Sequence, residues 1–248
     1  MHFRDKAIIV DKYLLNENSY IITTITENHG IYAGVVKIPK HKTCSDLEKS
    51  NLVDFFWKAR MEEHLGTVTI ELIKSYSASL MHSKSKLYAF NALASLVKAC
   101  FYERQPHPVL FKAISDFLAG MKYGFSIARY IQLELIILAQ AGYLLTLDKC
   151  GVSGVKDDLC YVSPRSGKAI SAEIGAPYAE KLLTLPNYVT HIASNLYNLS
   201  TQDHQLTLTE IRDSFKLTSY FFQRYLFHNK PLPKERQDLI SHLENEML

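Results

Sequence analysis

Between Asp5 and Leu80 the apolar and polar residues follow the two-residue period of strands. Lys6 to Leu15, Tyr20 to Thr26 and Ile31 to Ile38 are rich in β-branched and aromatic residues, and Asn16 to Ser19 and Asn28 to Gly30 separate them as turns. Asn51 to Ala59 and Thr67 to Tyr76 complete five strands, with one longer connection from Pro39 to Ser50. This arrangement predicts a small closed Greek-key barrel of the OB type. In the fourth strand Val53, Phe55, Trp57 and Ala59 alternate with Asp54, Phe56, Lys58 and Arg60. The alternation sends one set into the barrel and the other toward solvent or a ligand.

After Ser83 the period lengthens to that of a helix. Leu87, Phe90, Ala94, Val97 and Phe101 keep helical spacing, and Gln105-Pro106 is expected to end the element. Pro108 suits the first turn of a second helix, and a third runs from about Ser126 to Ala141. Lys84, Lys86, Lys98, Arg104, Lys112, Lys122 and Arg129 are expected on the exposed faces of these helices. From Cys150 to Ser171 the helical period disappears. Leu159 to Val162 and Lys168 to Ser171 predict a hairpin around Pro164-Arg165-Ser166-Gly167. Helical pattern returns from Ala179, Pro186 opens a stretch through Leu199, and Thr207-Leu208-Thr209-Glu210 has the form of a capping box for a helix through Phe227. A polar helix follows Pro231-Leu232-Pro233. The chain therefore reads as α+β, with an OB barrel over residues 1–80 and a helical domain over 81–248 that carries a hairpin insert at 150–171.

Charge adds little in total but something in its distribution. The formal net charge is +3, too small to announce a polyanion partner by itself. Residues 81–150 hold 8 Lys/Arg against 4 Asp/Glu, whereas residues 1–80 hold 10 of each. Four cysteines, Cys44, Cys100, Cys150 and Cys160, never fall in a C-x-x-C spacing, which argues against a secreted disulfide framework and fits a reducing cytoplasm. The start MHFRDKAIIVDKY has too few apolar residues for the core of a signal peptide. The run Ile131 to Leu147 is interrupted by Gln132, Glu134 and Gln140 and falls short of the ~20 residues of a membrane span, so it is expected to be a buried helix.

Three segments, WKARMEEHLGTVTIE (Trp57 to Glu71), ELIILAQAGYLLTLDKCGVSG (Glu134 to Gly154) and LCYVSPRSGKAIS (Leu159 to Ser171), resemble the RecO family of bacterial recombination mediators, the last in the form found in alphaproteobacterial relatives. LFKAISDFLAGM and PLPKERQDL add to the match, which spans nearly the whole chain. The resemblance implies a non-enzymatic, nucleoid-associated protein of the RecF pathway of DNA repair. It implies binding of single- and double-stranded DNA and annealing of complementary strands. It also implies partnership with RecR and with the acidic C-terminal tail of single-stranded DNA-binding protein, helping RecA load onto coated DNA. Many family members hold zinc on four cysteines in the central insert. Here Cys150 stands at the first ligand position, Ser153 at the second, and the later pair is replaced within Ser166 to Ser171.

A structural zinc ion wants four Cys or His ligands. Cys150 and Cys160 supply two and no nearby histidine completes the set, so no metal or other cofactor is expected. For DNA, an OB barrel combines a basic groove with aromatic faces on which bases stack. The expected contacts are Lys37, Lys40 and Lys42 in the loop after the third strand, with Phe56, Lys58 and Arg60 on the fourth. Lys84, Lys86 and Lys122 are expected to extend the track. Trp57 is expected in the core. An acidic, hydrophobic peptide tail needs an apolar pocket and a cation, for which Arg129 is the candidate; relatives often place an arginine where Gln132 stands. Glu134, in an apolar helix, is expected to be a paired structural carboxylate. There is no G-x-S-x-G, H-x-x-x-H or G-x-x-x-x-G-K motif. The pair Cys44 and His41 has no evident oxyanion site beside it. The rival expectation is an interaction adaptor whose barrel docks a protein, supported by the balanced charge of residues 1–80.

Overall fold

The computed structural model describes residues 1–38, 44–61, 63–199 and 206–247. Strands β1 (His2–Asn16), β2 (Ser19–Thr26), β3 (Gly30–Lys37), β4 (Leu52–Lys58) and β5 (Thr67–Lys74) close into a barrel in the order β1-β2-β3-β5-β4. Only the β3–β5 pairing is parallel. The expected α+β architecture with an N-terminal OB-like barrel is therefore present. The first strand begins at His2, four residues before its expected start, because His2 to Lys6 continue the ladder against Lys58 to Asp54.

The inward alternation of β4 is as expected. Val53, Phe55 and Trp57 are buried and join Ala7, Ile9, Ile22, Tyr32, Val36 and Val68 in one core. Burying a side chain of the size of Phe55 contributes about 1.5–3 kcal/mol. Trp57 donates its indole N–H to the carbonyls of Ala33 (3.2 Å) and Leu65 (3.1 Å), so the ring brings no unpaired donor into the core. Gly66 makes room for it: its φ is +72° and a Cβ there would lie 2.4 Å from Trp57 Nε1.

Helices α1 (Ser77–Met81), α2 (Lys84–Cys100) and α3 (Pro108–Gly120) follow the barrel. Helix α2 packs on β1 and α3 on β2. The outward residues Ile8, Val10, Ile21, Ile25 and Ile31 are buried in consequence of such cover. Helix α2 stops at Cys100, short of the expected Gln105-Pro106. Phe101 is extended and Arg104 N–H donates to the Ile31 carbonyl at 2.9 Å, so the chain there adds a bridge to β3 in place of another helical turn. By compactness the chain parts at Tyr123, with the barrel and α1–α3 in one unit and Gly124–Leu248 in the other.

The second unit contains α4 (Ile127–Gln140), which buries Ala128 and every residue from Tyr130 to Leu138. Strands β6 (Thr146–Cys150), β7 (Leu159–Val162), β8 (Lys168–Ser171) and β9 (Leu183–Thr184) follow. The expected hairpin is present as β7–β8, but it lies inside a four-stranded sheet of order β6-β8-β7-β9. Short β6 and β9 carry too few residues to show a period. Beside the sheet are α5 (Ala172–Gly175), α6 (Asn187–Ala193), α7 (Leu208–Phe221) and α8 (Lys234–Glu246). Helix α6 ends well before the expected Leu199, because the amide of Gln132 takes up the carbonyls of Asn195, Leu196 and Asn198 in a turn. The capping box of Thr207 and Glu210 is formed, and α7 passes at Phe222–Leu226 into a π-helical turn.

Candidate nucleic-acid interface

Three strands present an uncovered outward face. Reading across the ladders, His2, Lys58 and Thr67 form one row, Arg4, Phe56 and Thr69 the next, and Lys6, Asp54 and Glu71 the third. Directly opposed side chains in antiparallel strands lie on one face within reach of each other, so Phe56 sits at the centre of a lattice with cations on several sides. Phe56 is 37% exposed, and the His2 ring is 6.0 Å from it. An exposed phenyl ring beside cations offers stacking for a base and charge for a phosphate.

The third row is acidic and shapes the field. Arg4 Nε donates to both carboxylate oxygens of Asp54, at 2.9 and 2.8 Å, and Glu71 lies 3.9 Å from the guanidinium. The hydrogen bond from Arg4 holds the Asp54 carboxyl below its usual range. Elsewhere on the barrel Asp11 pairs with Lys49 and Lys98, and Glu48 with Lys12. Asp5 is buried beneath His29, 2.7 Å away. These pairs engage the cations Arg4, Lys12 and Lys49 as well as the acids, while Lys58 makes no ion pair among the described residues and stands in the row farthest from Asp54 and Glu71.

Of the residues expected to touch DNA, Phe56 and Lys58 share this face, and Arg60 is exposed just beyond the end of β4. Lys37 is exposed at the end of β3, two residues past Val35, which pairs with Thr67. Lys40, Lys42 and His41 lie outside the described residues. Lys84 and Lys86 occupy the first turn of α2, where the helix dipole disfavours cations. Lys122 is exposed just after α3. These three belong to the first unit but not to the strand lattice. Lys86, Arg104 and Arg129 are half-buried rather than exposed as expected. Sequence reasoning missed His2, Arg4 and Lys6; the signal was the alternation His2-Phe3-Arg4-Asp5-Lys6, masked because inward-facing Asp5 is polar.

In the second unit Arg129, Gln132 and Leu135 are spaced by three residues along α4 and so share a face. Leu135 lines a cavity of about 240 Å3 whose other walls include Leu144, Leu145, Leu147, Leu196 and Tyr197. Arg129 stands two turns earlier, and its buried Nε has no hydrogen-bond partner among the described residues. Gln132, 1% exposed, is occupied by the Asn195–Asn198 turn that brings Leu196 and Tyr197 to the cavity. Glu134 is a paired structural carboxylate: Arg236 reaches it at 2.7 and 2.9 Å, and the Thr218 hydroxyl donates to it at 2.6 Å.

Cys150 ends β6 and turns its sulfur toward hydrogen-bond donors. Ser171 N–H approaches it at 3.4 Å and the Ser171 hydroxyl at 3.7 Å. Burial alone would raise this thiol, but hydrogen bonds from the Ser153 hydroxyl and from the N–H groups of Ser153, Ser171 and Val152 outweigh it and bring the pKa to about 6. Cys160 is shifted the other way, by burial and by Asp158. One thiol ringed by donors is not the ligand set of a tetrahedral zinc ion, and no three His, Cys, Asp or Glu side chains cluster among the described residues. Among the same residues no helix is long and apolar enough to cross a membrane.

Comparison with known proteins is consistent along the length of the chain. Residues 1–76 match the family model for the recombination protein O N terminal, and residues 81–234 match that for the recombination protein O C terminal. The "DNA repair protein RecO" of Rickettsia akari is 44% identical over 246 residues, covering 99% of this chain and 100% of the relative. That of Rickettsia felis is 43% identical, covering 99% of each, and that of Rickettsia bellii is 44% identical, covering 98% of this chain and 97% of the relative.

Proposed function

The chain belongs to the RecO family of DNA repair proteins, and from that premise we propose that it is a non-catalytic, metal-free mediator that binds DNA on the open face of its barrel and anneals complementary strands. The observation that carries this reading is the lattice around Phe56, with Lys58, His2 and Arg4 on its sides. Phosphates of a single strand take Lys58, Arg60, Lys37, Lys40 and Lys42, while a base stacks on Phe56. Such stacking contributes about 1–3 kcal/mol per base. Lys84, Lys86 and Lys122 extend the basic track. Neutralising phosphates lowers the repulsion between two strands, and a stack on one edge of a strand leaves other bases free to pair.

The Arg129 face of α4 is proposed as the partner site. The acidic, hydrophobic C-terminal tail of single-stranded DNA-binding protein places its terminal aromatic side chain in the leucine cavity and a carboxylate on Arg129, whose Nε is unsatisfied among the described residues. RecR is the second protein partner, and delivery of RecA to coated DNA in the RecF pathway is the outcome. Work of this kind places the protein in the cytoplasm, with the nucleoid.

One observation favours a second reading, a barrel that docks protein. Tyr13, Leu14 and Leu15, near the β1–β2 turn, are 53%, 61% and 50% exposed, and an apolar run on a surface commonly marks a protein contact. The two readings separate on charge reversal of Lys37, Lys40 and Lys42, followed by titration of a labelled single strand at several salt concentrations and then by addition of its complement. The mediator reading requires weaker binding, slower annealing, and a log–log salt slope shallower by about 0.7 for each phosphate that is no longer neutralised. Unchanged affinity and slope would favour protein docking.

A further inference from the structure

Annealing involves two strands, and the second unit carries a surface suited to single-stranded nucleic acid that the barrel reading leaves unused. At the end of α7 three aromatic rings form a column. Buried Phe221 is 6.0 Å from Tyr225 with the rings 8° from parallel, and Tyr225 is 4.7 Å from Tyr143 at 27°. Tyr225 and Tyr143 are half-exposed, so the column begins in the core and ends at the surface. Arg224 lies 5.7 Å from the centre of the Tyr225 ring and 6.0 Å from that of Tyr220, and its hydrogen-bonding partners are those two tyrosines.

The β7–β8 turn brings further charge to the same place. Tyr225 donates its hydroxyl to the Arg165 carbonyl at 3.3 Å, and a Cβ on Gly167 would lie 3.7 Å from the Phe221 ring. Arg165, whose carbonyl accepts that bond, is exposed, and so is Lys168, whose side-chain stem lies against Gly151 just past β6. Arg165, Lys168 and Arg224 take part in no ion pair among the described residues. The backbone widens to a π turn at Phe222–Leu226, where Arg224 and Tyr225 leave the helix together; such turns recur at functional sites. Cations without carboxylate partners beside stacked aromatic rings are the combination that tracks a strand's phosphates and holds its bases without reading sequence.

We propose that the Tyr143–Tyr225 column with Arg224, Arg165 and Lys168 is a second contact surface for single-stranded nucleic acid, holding one strand of an annealing pair while the barrel face holds the other. This inference rests on the annealing function proposed above. A base continues the column on Tyr143, and phosphates take Arg224, Arg165 and Lys168.

The test uses the full chain with Arg165→Glu and Arg224→Glu together. Both arginines are exposed, so the fold is expected to survive, and circular dichroism checks it. Three readouts follow: binding of a fluorescent oligodeoxythymidine, the rate of annealing of two complementary oligonucleotides, and the positions cross-linked by an oligonucleotide carrying 5-iododeoxyuridine. The proposal expects single-strand binding to persist through the barrel, annealing to fall about tenfold or more, as reversal of two cations at a salt-sensitive interface allows, and cross-links at Tyr143 or Tyr225 in the unaltered protein. Tyr143→Ala is expected to lower annealing in the same direction without altering charge. Annealing at the unaltered rate in the arginine variant, or cross-links confined to residues 1–123, overturns the second surface while leaving the barrel reading intact. Loss of all single-strand binding in that variant overturns the division between two surfaces. Failure of the unaltered protein to bind or anneal DNA at all sinks the function on which the inference rests.

Discussion

Glu134 and Arg236, 102 positions apart, meet in a two-point ion pair at 2.7 and 2.9 Å, with side chains 1% and 2% exposed. Arg236 also donates to the hydroxyls of Thr218 (2.9 Å) and Ser219 (2.8 Å) and lies over the Phe215 ring. Helices α4, α7 and α8 are thereby joined at one buried point. Burial works against the charge of Arg236, and the attraction of Glu134 more than offsets it, so its pKa is raised.

Removing one member leaves a buried charge without its partner, which typically costs about 3–5 kcal/mol, whereas replacing both with apolar residues costs far less. Arg236→Ala is therefore expected to lower the stability of the second unit by about that amount, and Glu134→Leu with Arg236→Met to recover most of it. Denaturant unfolding of the three proteins checks this; equal losses for the single and double variants would show that the pair itself contributes the stability.

Cys150 ties stability to pH with a definite sign. Its pKa falls from an ordinary value of 9.0 to about 6 on folding. The contribution is complete above about pH 9, shrinks as pH falls, and is gone once pH has passed below about 6. Stability under reducing conditions should thus rise between pH 6 and pH 9 more steeply in the natural chain than in Cys150→Ser. Thiolate absorbance near 240 nm, with a midpoint about 6 that disappears in the variant, is the direct readout. A midpoint above 8 would contradict the arrangement of donors around the sulfur.

The partner site yields a separable result. Arg129→Ala should weaken binding of an acidic, phenylalanine-terminated peptide by about 1.5–3 kcal/mol, the range for a hydrogen bond to a charged group, with single-strand DNA affinity unchanged. Leu135→Lys, which places a charge in the cavity, should weaken the peptide as well. Calorimetric titration decides it, and equal peptide affinity in both variants would remove α4 from the recognition.

Much of this is legible in the sequence alone. The two-residue period of β4 places Trp57 inside and Phe56 with Lys58 outside, because a strand with one packed face leaves little choice. The capping box of Thr207 and Glu210 is a local interaction and reads directly. Glu134 declares itself by its apolar neighbours as a carboxylate needing a partner. What stays hidden depends on distance along the chain. Arg236 as that partner, Gln132 as the hook for the Asn195–Asn198 turn, and Tyr143 as the end of a column rooted in α7 are contacts between remote segments, and no local period encodes them. His2, Arg4 and Lys6 escape for a different reason: buried Asp5, held by Asn28 and His29, interrupts the apolar alternation that marks a strand.

Whether the open barrel face holds single-stranded DNA is read from the affinity of a labelled oligodeoxythymidine for Phe56→Ala, Lys58→Glu and the unaltered chain across a salt series. Trp57, the one tryptophan, is buried beside the altered positions, and its fluorescence confirms that the barrel is folded. Phe56→Ala is expected to lose about 1–3 kcal/mol of binding with little change in slope. Lys58→Glu should weaken binding and make the log–log slope shallower by about 0.7 or more. Affinities and slopes equal to those of the unaltered protein in both variants would contradict it and move the DNA contact off this face.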